Sequence, residues 1–129
     1  MGDFTGTGDF TGTGELSIYF NPRCSKCRTA QGLLTDRGVA AHIVDYLNVA
    51  PTVEQLQELM GQLDIMDPRE MMRTGEQDYA SLGLAERSGP ALLEAIAANP
   101  ILLERPIVVR DGRAVIARPP ERLLELFDS

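Results

Sequence analysis

The sequence predicts an α/β fold, a mixed four-stranded sheet flanked by helices, with a helical insertion between strands 2 and 3. Three observations carry that expectation. A short apolar run, Leu16 to Phe20, passes into a helix-type pattern and then into a second β-type run, the β-α-β order that makes two strands parallel. Near the C-terminus, Ile107-Val108-Val109-Arg110 and Arg113 to Ala117 flank Asp111-Gly112, a strong two-residue hairpin signal. Between those blocks the apolar residues recur at helical spacing.

The chain opens on a tandem repeat, Gly2-Asp3-Phe4-Thr5-Gly6-Thr7 followed by Gly8-Asp9-Phe10-Thr11-Gly12-Thr13. Two copies are too few for a solenoid, and so much Gly and Thr offers little to pack. Residues 1–14 therefore read as an expression tag or a repeated flexible leader, and residues 15–129 as the folded domain.

Leu16 to Phe20 reads as a buried first strand closed by the turn-forming Asn21-Pro22. A first helix is expected from about Ser25 to Asp36, ending at Gly38 as a C-cap glycine. Ala41 to Asp45 supplies the second strand. Thr52 then caps a helix with Gln55 as its capping-box partner, and Leu56, Leu59, Met60 and Leu63 form the apolar stripe. Asp67-Pro68 begins another helical piece containing Met71 and Met72 and ending at Gly75. The methionines read as core filler, because most stand at helical spacing beside leucines.

Tyr79 to Leu84 reads as irregular or briefly helical. Gly89-Pro90 starts a clear helix through Ala97, stopped by Asn99-Pro100. The last element, Pro119 to Phe127, is a helix with proline at its start.

A length of 129 residues is that of one domain with a continuous core. The 12 basic and 19 acidic residues give 12 − 19 = −7, a balance that argues against direct nucleic-acid binding. No apolar run is long enough to cross a bilayer, and the N-terminus lacks the pattern of a signal peptide, so a cytoplasmic protein is expected. There, two cysteines at C-x-x-C spacing point to redox chemistry or metal binding rather than a structural disulfide. His42 is the single histidine and no second C-x-x-C exists, which argues against a structural zinc site.

Both cysteines, Cys24 and Cys27, fall where the first strand gives way to the first helix. A thiol there lies near the positive end of the helix dipole and the unpaired N–H groups of the first turn, which favour thiolate. Cys24, the more N-terminal, is the candidate nucleophile. Cys27, one turn inside, can attack a bond made by the first thiol and leave an intramolecular disulfide.

Arg23, Lys26 and Arg28 crowd the same turn, as solvated cations or as part of the site. Arg105 and Arg118 each precede a proline, a setting that projects them from strand ends. Arg73 stands near the end of the Met71-Met72 helix. Taken singly each reads equally as a surface residue; converging, they would bind one oxyanion through paired guanidinium donors.

The runs Ile18-Tyr19-Phe20-Asn21-Pro22-Arg23-Cys24-Ser25-Lys26-Cys27-Arg28, Leu82-Gly83-Leu84-Ala85-Glu86, and Asn99-Pro100-Ile101-Leu102-Leu103-Glu104-Arg105-Pro106-Ile107-Val108-Val109 with Ala117-Arg118-Pro119 resemble the ArsC/Spx family. The likeness runs from about Leu16 to Phe127 and is greatest to the glutaredoxin-coupled arsenate reductases. It implies a thioredoxin-like fold, with Cys24 as the catalytic cysteine and Arg73, Arg105 and Arg118 as the arginines that bind arsenate and stabilise the thiolate. It also implies a cis-proline at Pro106 beside the active thiol.

The implied activity is reduction of arsenate to arsenite through a Cys24 thiol-arsenate adduct, with no bound cofactor and no metal. The reductant is either glutathione with glutaredoxin, or Cys27 with thioredoxin. Two departures from the family pattern stand out: Phe20 occupies the place of a histidine that many arsenate reductases carry, and Cys27 is shared with the Spx proteins. The alternatives are therefore an Spx-like redox-sensing regulator that binds RNA polymerase, and a general thiol-disulfide oxidoreductase.

Overall fold

The computed structural model describes residues 16–127, so the repeated leader lies outside the described residues. The described chain divides into two compact units, one formed by residues 16–45 with 105–127 and the other by residues 46–104. The first holds a mixed four-stranded sheet and its helices; the second is the helical insertion between strands 2 and 3.

In the first unit, β1 (Leu16–Tyr19), β2 (Ala41–Val44), β3 (Ile107–Arg110) and β4 (Arg113–Ile116) stand in the order β2-β1-β3-β4. β1 pairs in parallel with β2 and antiparallel with β3, and β3 pairs antiparallel with β4. In this register Ile18 lies between Ile43 and Val108, and Val108 faces Val115. All four residues of the central β1 are buried.

One core joins strand and helix residues: Leu16, Ile18 and Val108 meet Ala30 and Leu34 of helix α1 (Ser25–Asp36) together with Leu123 and Leu126 of the last segment. The alternation of Leu16 and Ile18 along β1 and the i, i+4 spacing of Ala30 and Leu34 are the two periodicities that allow this contact. α1 begins and ends where expected. Gly38 takes φ 74° and its N–H donates to Thr35 O at 2.9 Å, the left-handed turn that closes a helix.

The hairpin is tight because Asp111 (φ 51°) and Gly112 (φ 78°) both accept positive φ, as a type I′ turn requires. The closing segment departs from expectation: it is a 3-10 helix, Pro120–Phe127, beginning one residue later. Its terminal carbonyls are taken by the hairpin, since Arg110 Nη1 donates to Leu126 O at 2.8 Å and Arg113 Nη2 to Glu125 O at 3.3 Å. The Phe127 ring carries the Arg37 and Arg110 guanidinium groups at 4.7 and 4.6 Å from its centroid. β1, β2 and β4 each stop one residue short of the predicted run.

In the insertion, α2 (Val53–Leu63) starts on the predicted capping box: Gln55 N–H donates to Thr52 Oγ1 (3.1 Å) and Thr52 N–H to Gln55 Oε1 (2.9 Å). α2 packs against α4 (Pro90–Ala98), and Leu56, Leu59, Leu92 and Ile96 are buried. Between them lie a 3-10 turn at Pro68–Met71, the short α3 (Gln77–Ser81) and a second 3-10 turn at Leu84–Glu86.

The helical piece at Asp67 is shorter than expected and does not run to Gly75. Met72 leaves it to form an antiparallel bridge with Leu103, while Arg73 N–H donates to Leu102 O at 2.7 Å and Glu104 N–H to Met71 O at 2.8 Å. These non-local backbone bonds replace a further helical turn. Met71 and Met72 are buried as core filler, whereas Met66 is 93% exposed, contrary to that reading. Arg69 fastens the following loop: it donates to the Tyr79 hydroxyl (2.9 Å) and to the carbonyls of Leu84, Ala85 and Arg87.

Candidate active site

Asn21-Pro22-Arg23 turns the chain from β1 into α1, and its geometry places one thiol at the helix start. Asn21 Oδ1 accepts from Arg23 N–H (2.9 Å) and Asn21 O from Cys24 N–H (2.9 Å). Arg28 braces the turn from outside, its Nη1 donating to Pro22 O at 2.6 Å. Arg23 and Lys26 point to solvent.

Cys24 is the N-cap of α1, extended at φ −92° and ψ 117°, and its sulfur accepts from Cys27 N–H at 3.3 Å. A cysteine thus takes the place where Ser, Thr, Asp or Asn would ordinarily receive the orphan amide, and the dipole that favours a capping carboxylate favours a thiolate. Both thiols are free and buried, Cys24 at 6% exposure and Cys27 at 0%.

The two sulfurs are held in opposite states. Burial opposes ionisation of Cys24, but it is outweighed by donation from the Cys27 thiol and N–H and by the hydrogen bond and charge of Arg105. The Cys24 thiol therefore sits below its ordinary value. For Cys27, burial comes first and Cys24 adds to it, against the lowering influence of the Asn21 N–H and Arg105, so the thiol is pushed up to about 12. Ionisation is therefore directed to Cys24, with Cys27 as its proton-bearing partner.

Of the three predicted arginines, Arg105 reaches Cys24, and Arg118 is linked to Arg105 by its Nη1, which donates to Arg105 O at 3.0 Å. The Arg105-Pro106 bond is cis, as expected, and Arg118-Pro119 is cis as well. Arg73 belongs to the insertion. There its Nη1 lies 2.9 Å from Glu76 Oε2 and 3.5 Å from Ile101 O. It follows the Pro68–Met71 turn rather than ending a helix.

Phe20, which takes the place of that histidine, packs against the sheet core, and its N–H donates to Val44 O at 3.2 Å just beyond the end of β1. Asn21 had signalled only a turn. Its main-chain N–H also donates to the Cys27 sulfur, a role whose only local signal is an Asn-Pro pair just before a cysteine N-cap. Among the described residues no group of three or more His, Cys, Asp or Glu side chains is placed to hold a metal, and no helix is long and apolar enough to cross a membrane.

This arrangement can perform nucleophilic attack by sulfur on an electrophile carrying negative oxygens, with guanidinium charge beside it. Comparison with known proteins points the same way. The ArsC family model matches residues 19–126. An arsenate reductase of Neisseria meningitidis serogroup A is 44% identical over 111 residues, covering 84% of this chain and 95% of that protein. One of Haemophilus influenzae is 42% identical over 112 residues, covering 85% and 97%. The solved structure of an arsenate reductase from Vibrio cholerae superposes with a TM-score of 0.84 at 44% identity, covering 86% of this chain and 96% of that one.

Proposed function

Because this chain belongs to the ArsC family, we propose that it is an arsenate reductase, an oxidoreductase in which the Cys24 thiolate attacks the arsenic of a bound arsenate. The observation that carries this reading is the Cys24 sulfur itself. It is an N-cap thiol that receives the Cys27 N–H at 3.3 Å and is drawn towards the thiolate by Arg105. An uncharged nucleophile would need a general base, and a thiolate held by fixed donors does not.

In the first step the Cys24 sulfur bonds to arsenic and one arsenate oxygen, taking up protons, leaves as water. The arsenic remains pentavalent in the adduct. Arg105 and Arg118 neutralise the oxyanion charge, and the match to the family motif adds Arg73 to that set. A second thiol then attacks the Cys24 sulfur: an S–S bond forms, the S–As bond breaks, and its electron pair stays on arsenic, which departs as arsenite. That thiol is glutathione, with glutaredoxin to resolve the mixed disulfide, or Cys27, with thioredoxin to reopen an internal one. Both supplies belong to a reducing cytoplasm.

The test is arsenate-dependent consumption of reductant by wild type and Cys24→Ser. Turnover is expected in the first and none in the second. Robust turnover by Cys24→Ser removes the proposal.

A further inference from the structure

Two features of Cys27 are unexplained by packing. Its sulfur receives a main-chain donor, the Asn21 N–H, and its own main-chain N–H donates to the Cys24 sulfur at 3.3 Å, which joins the two cysteines in one hydrogen-bonded pair. A cysteine that merely fills space needs neither. Cys27 is also 0% exposed, so an external thiol or substrate has no access to it. The only other sulfhydryl in the sequence is Cys24.

We infer that Cys27 is the thiol that releases arsenite: its sulfur attacks the Cys24 sulfur of the arsenate adduct, closing a Cys24–Cys27 disulfide that a dithiol reductant must reopen. This rests on the arsenate reading above and settles which of its two reductant routes the chain is built for. Residues three apart at a helix start are neighbours on one face, and the Cys24 sulfur already lies 3.3 Å from the Cys27 main-chain nitrogen, so the two side chains share one site.

Direction favours the same route. Arsenate arrives from solvent and Cys27 has no solvent-facing surface, so Cys27 meets the adduct from within the protein, where its N–H already lies 3.3 Å from the Cys24 sulfur. A solution thiol would have to reach that sulfur, in a residue only 6% exposed, past the bound oxyanion.

The charges time the step. Before substrate binds, burial and the Cys24 thiolate keep Cys27 protonated and out of competition for arsenate. Once Cys24 is bonded to arsenic its negative charge is gone. Two of the influences that hold the Cys27 proton vanish with it, while the Asn21 N–H and Arg105, which favour the Cys27 thiolate, remain. The second nucleophile becomes easier to ionise only after the first has reacted.

The balance closes without an outside oxidant: two thiols and one arsenate give one disulfide, one arsenite and one water. The Cys27 proton passes to an arsenic oxygen, and the two electrons come from the paired sulfurs.

The experiment is a single turnover. Reduced wild type, freed of small thiols, is mixed anaerobically with excess arsenate and no reductant; arsenite and remaining thiols are counted, and the peptide spanning both cysteines is identified by mass. About one arsenite per chain, loss of both thiols and an intramolecular disulfide are expected. Arsenite that appears only when glutathione is added, with Cys27 still titratable, overturns the inference and leaves the arsenate reading intact. No arsenite with either glutathione plus glutaredoxin or a dithiol protein overturns both.

Cys27→Ala, checked for native circular dichroism, is expected to lose at least tenfold in turnover driven by the dithiol protein. Wild-type turnover by that variant also overturns the inference. The thiol count on wild type decides the matter even if the variant does not fold.

Discussion

Replacing Arg105 by methionine keeps the aliphatic stem and removes the hydrogen bond and the charge that Arg105 directs at the Cys24 sulfur. A hydrogen bond to a charged group is worth about 2 kcal/mol, so the variant holds roughly 30-fold less thiolate at a pH where the thiol form dominates. A more basic sulfur is also a better nucleophile, with a Brønsted slope of about 0.4–0.5, which returns a little under half of that loss on a logarithmic scale.

The rate of attack on a chromogenic aryl disulfide should therefore fall about sixfold at pH values below the Cys24 midpoint. At high pH, where both proteins are fully ionised, it should exceed wild type by about fivefold. Stopped-flow rates across pH test this: the two profiles must cross, with the midpoint displaced upward in Arg105→Met. Profiles that superimpose would show that Arg105 does not act on Cys24, and a uniform slowing at every pH would show that it acts on access rather than on charge. Arg105→Lys should fall between, because it keeps the charge and loses the planar fork.

Two further outcomes concern stability rather than rate. Phe127→Ala removes two cation–π contacts, at about 0.5–1 kcal/mol each, together with part of an apolar ring, a total of about 2 kcal/mol; a thermal midpoint about 10 °C lower is expected. Phe127→Leu should recover the apolar part only, and a melt equal to wild type would show that the two arginines contribute nothing there. Since folding raises the Cys27 value from 9.0 to about 12, the unfolded chain releases that proton first, and stability falls as pH rises through this window. Urea unfolding should show a flatter alkaline limb in Cys27→Ala, and parallel limbs would count against the shift.

The parts of the fold that depend on neighbouring residues were legible in the sequence. α1 begins at Ser25 because Cys24 can receive an orphan amide and ends at Gly38 because glycine accepts the left-handed turn; both signals are local. The Thr52–Gln55 capping box and the Asp111-Gly112 turn were readable for the same reason. What escaped was decided at long range. Met72 reads as helix until Leu103, 31 residues later, offers it a strand-like partner. The closing segment reads as an ordinary helix but winds as a 3-10 helix, with Arg110 and Arg113 donating to its last carbonyls.

The site divides similarly. Cys24 could be singled out by its position, and the opposite protonation of Cys27 could not, because it depends on burial and on the charge of its neighbour. Arg105 and Arg118 were expected, with Arg73, to converge on one oxyanion. The bond from the Arg118 guanidinium to the Arg105 carbonyl links the two, a relation that spacing does not encode.

Two of the donors around the sulfur pair, the N–H groups of Asn21 and Cys27, belong to the main chain. No codon specifies them and almost no point mutation deletes them, proline being the exception. Ser25 and Lys26, exposed between the cysteines, are therefore free to drift without erasing this part of the thiol's activation, which passes from ancestor to descendant with the path of the backbone. Laboratory evolution of substrate preference can use those positions as variable ground while the sulfur chemistry stays constant beneath them.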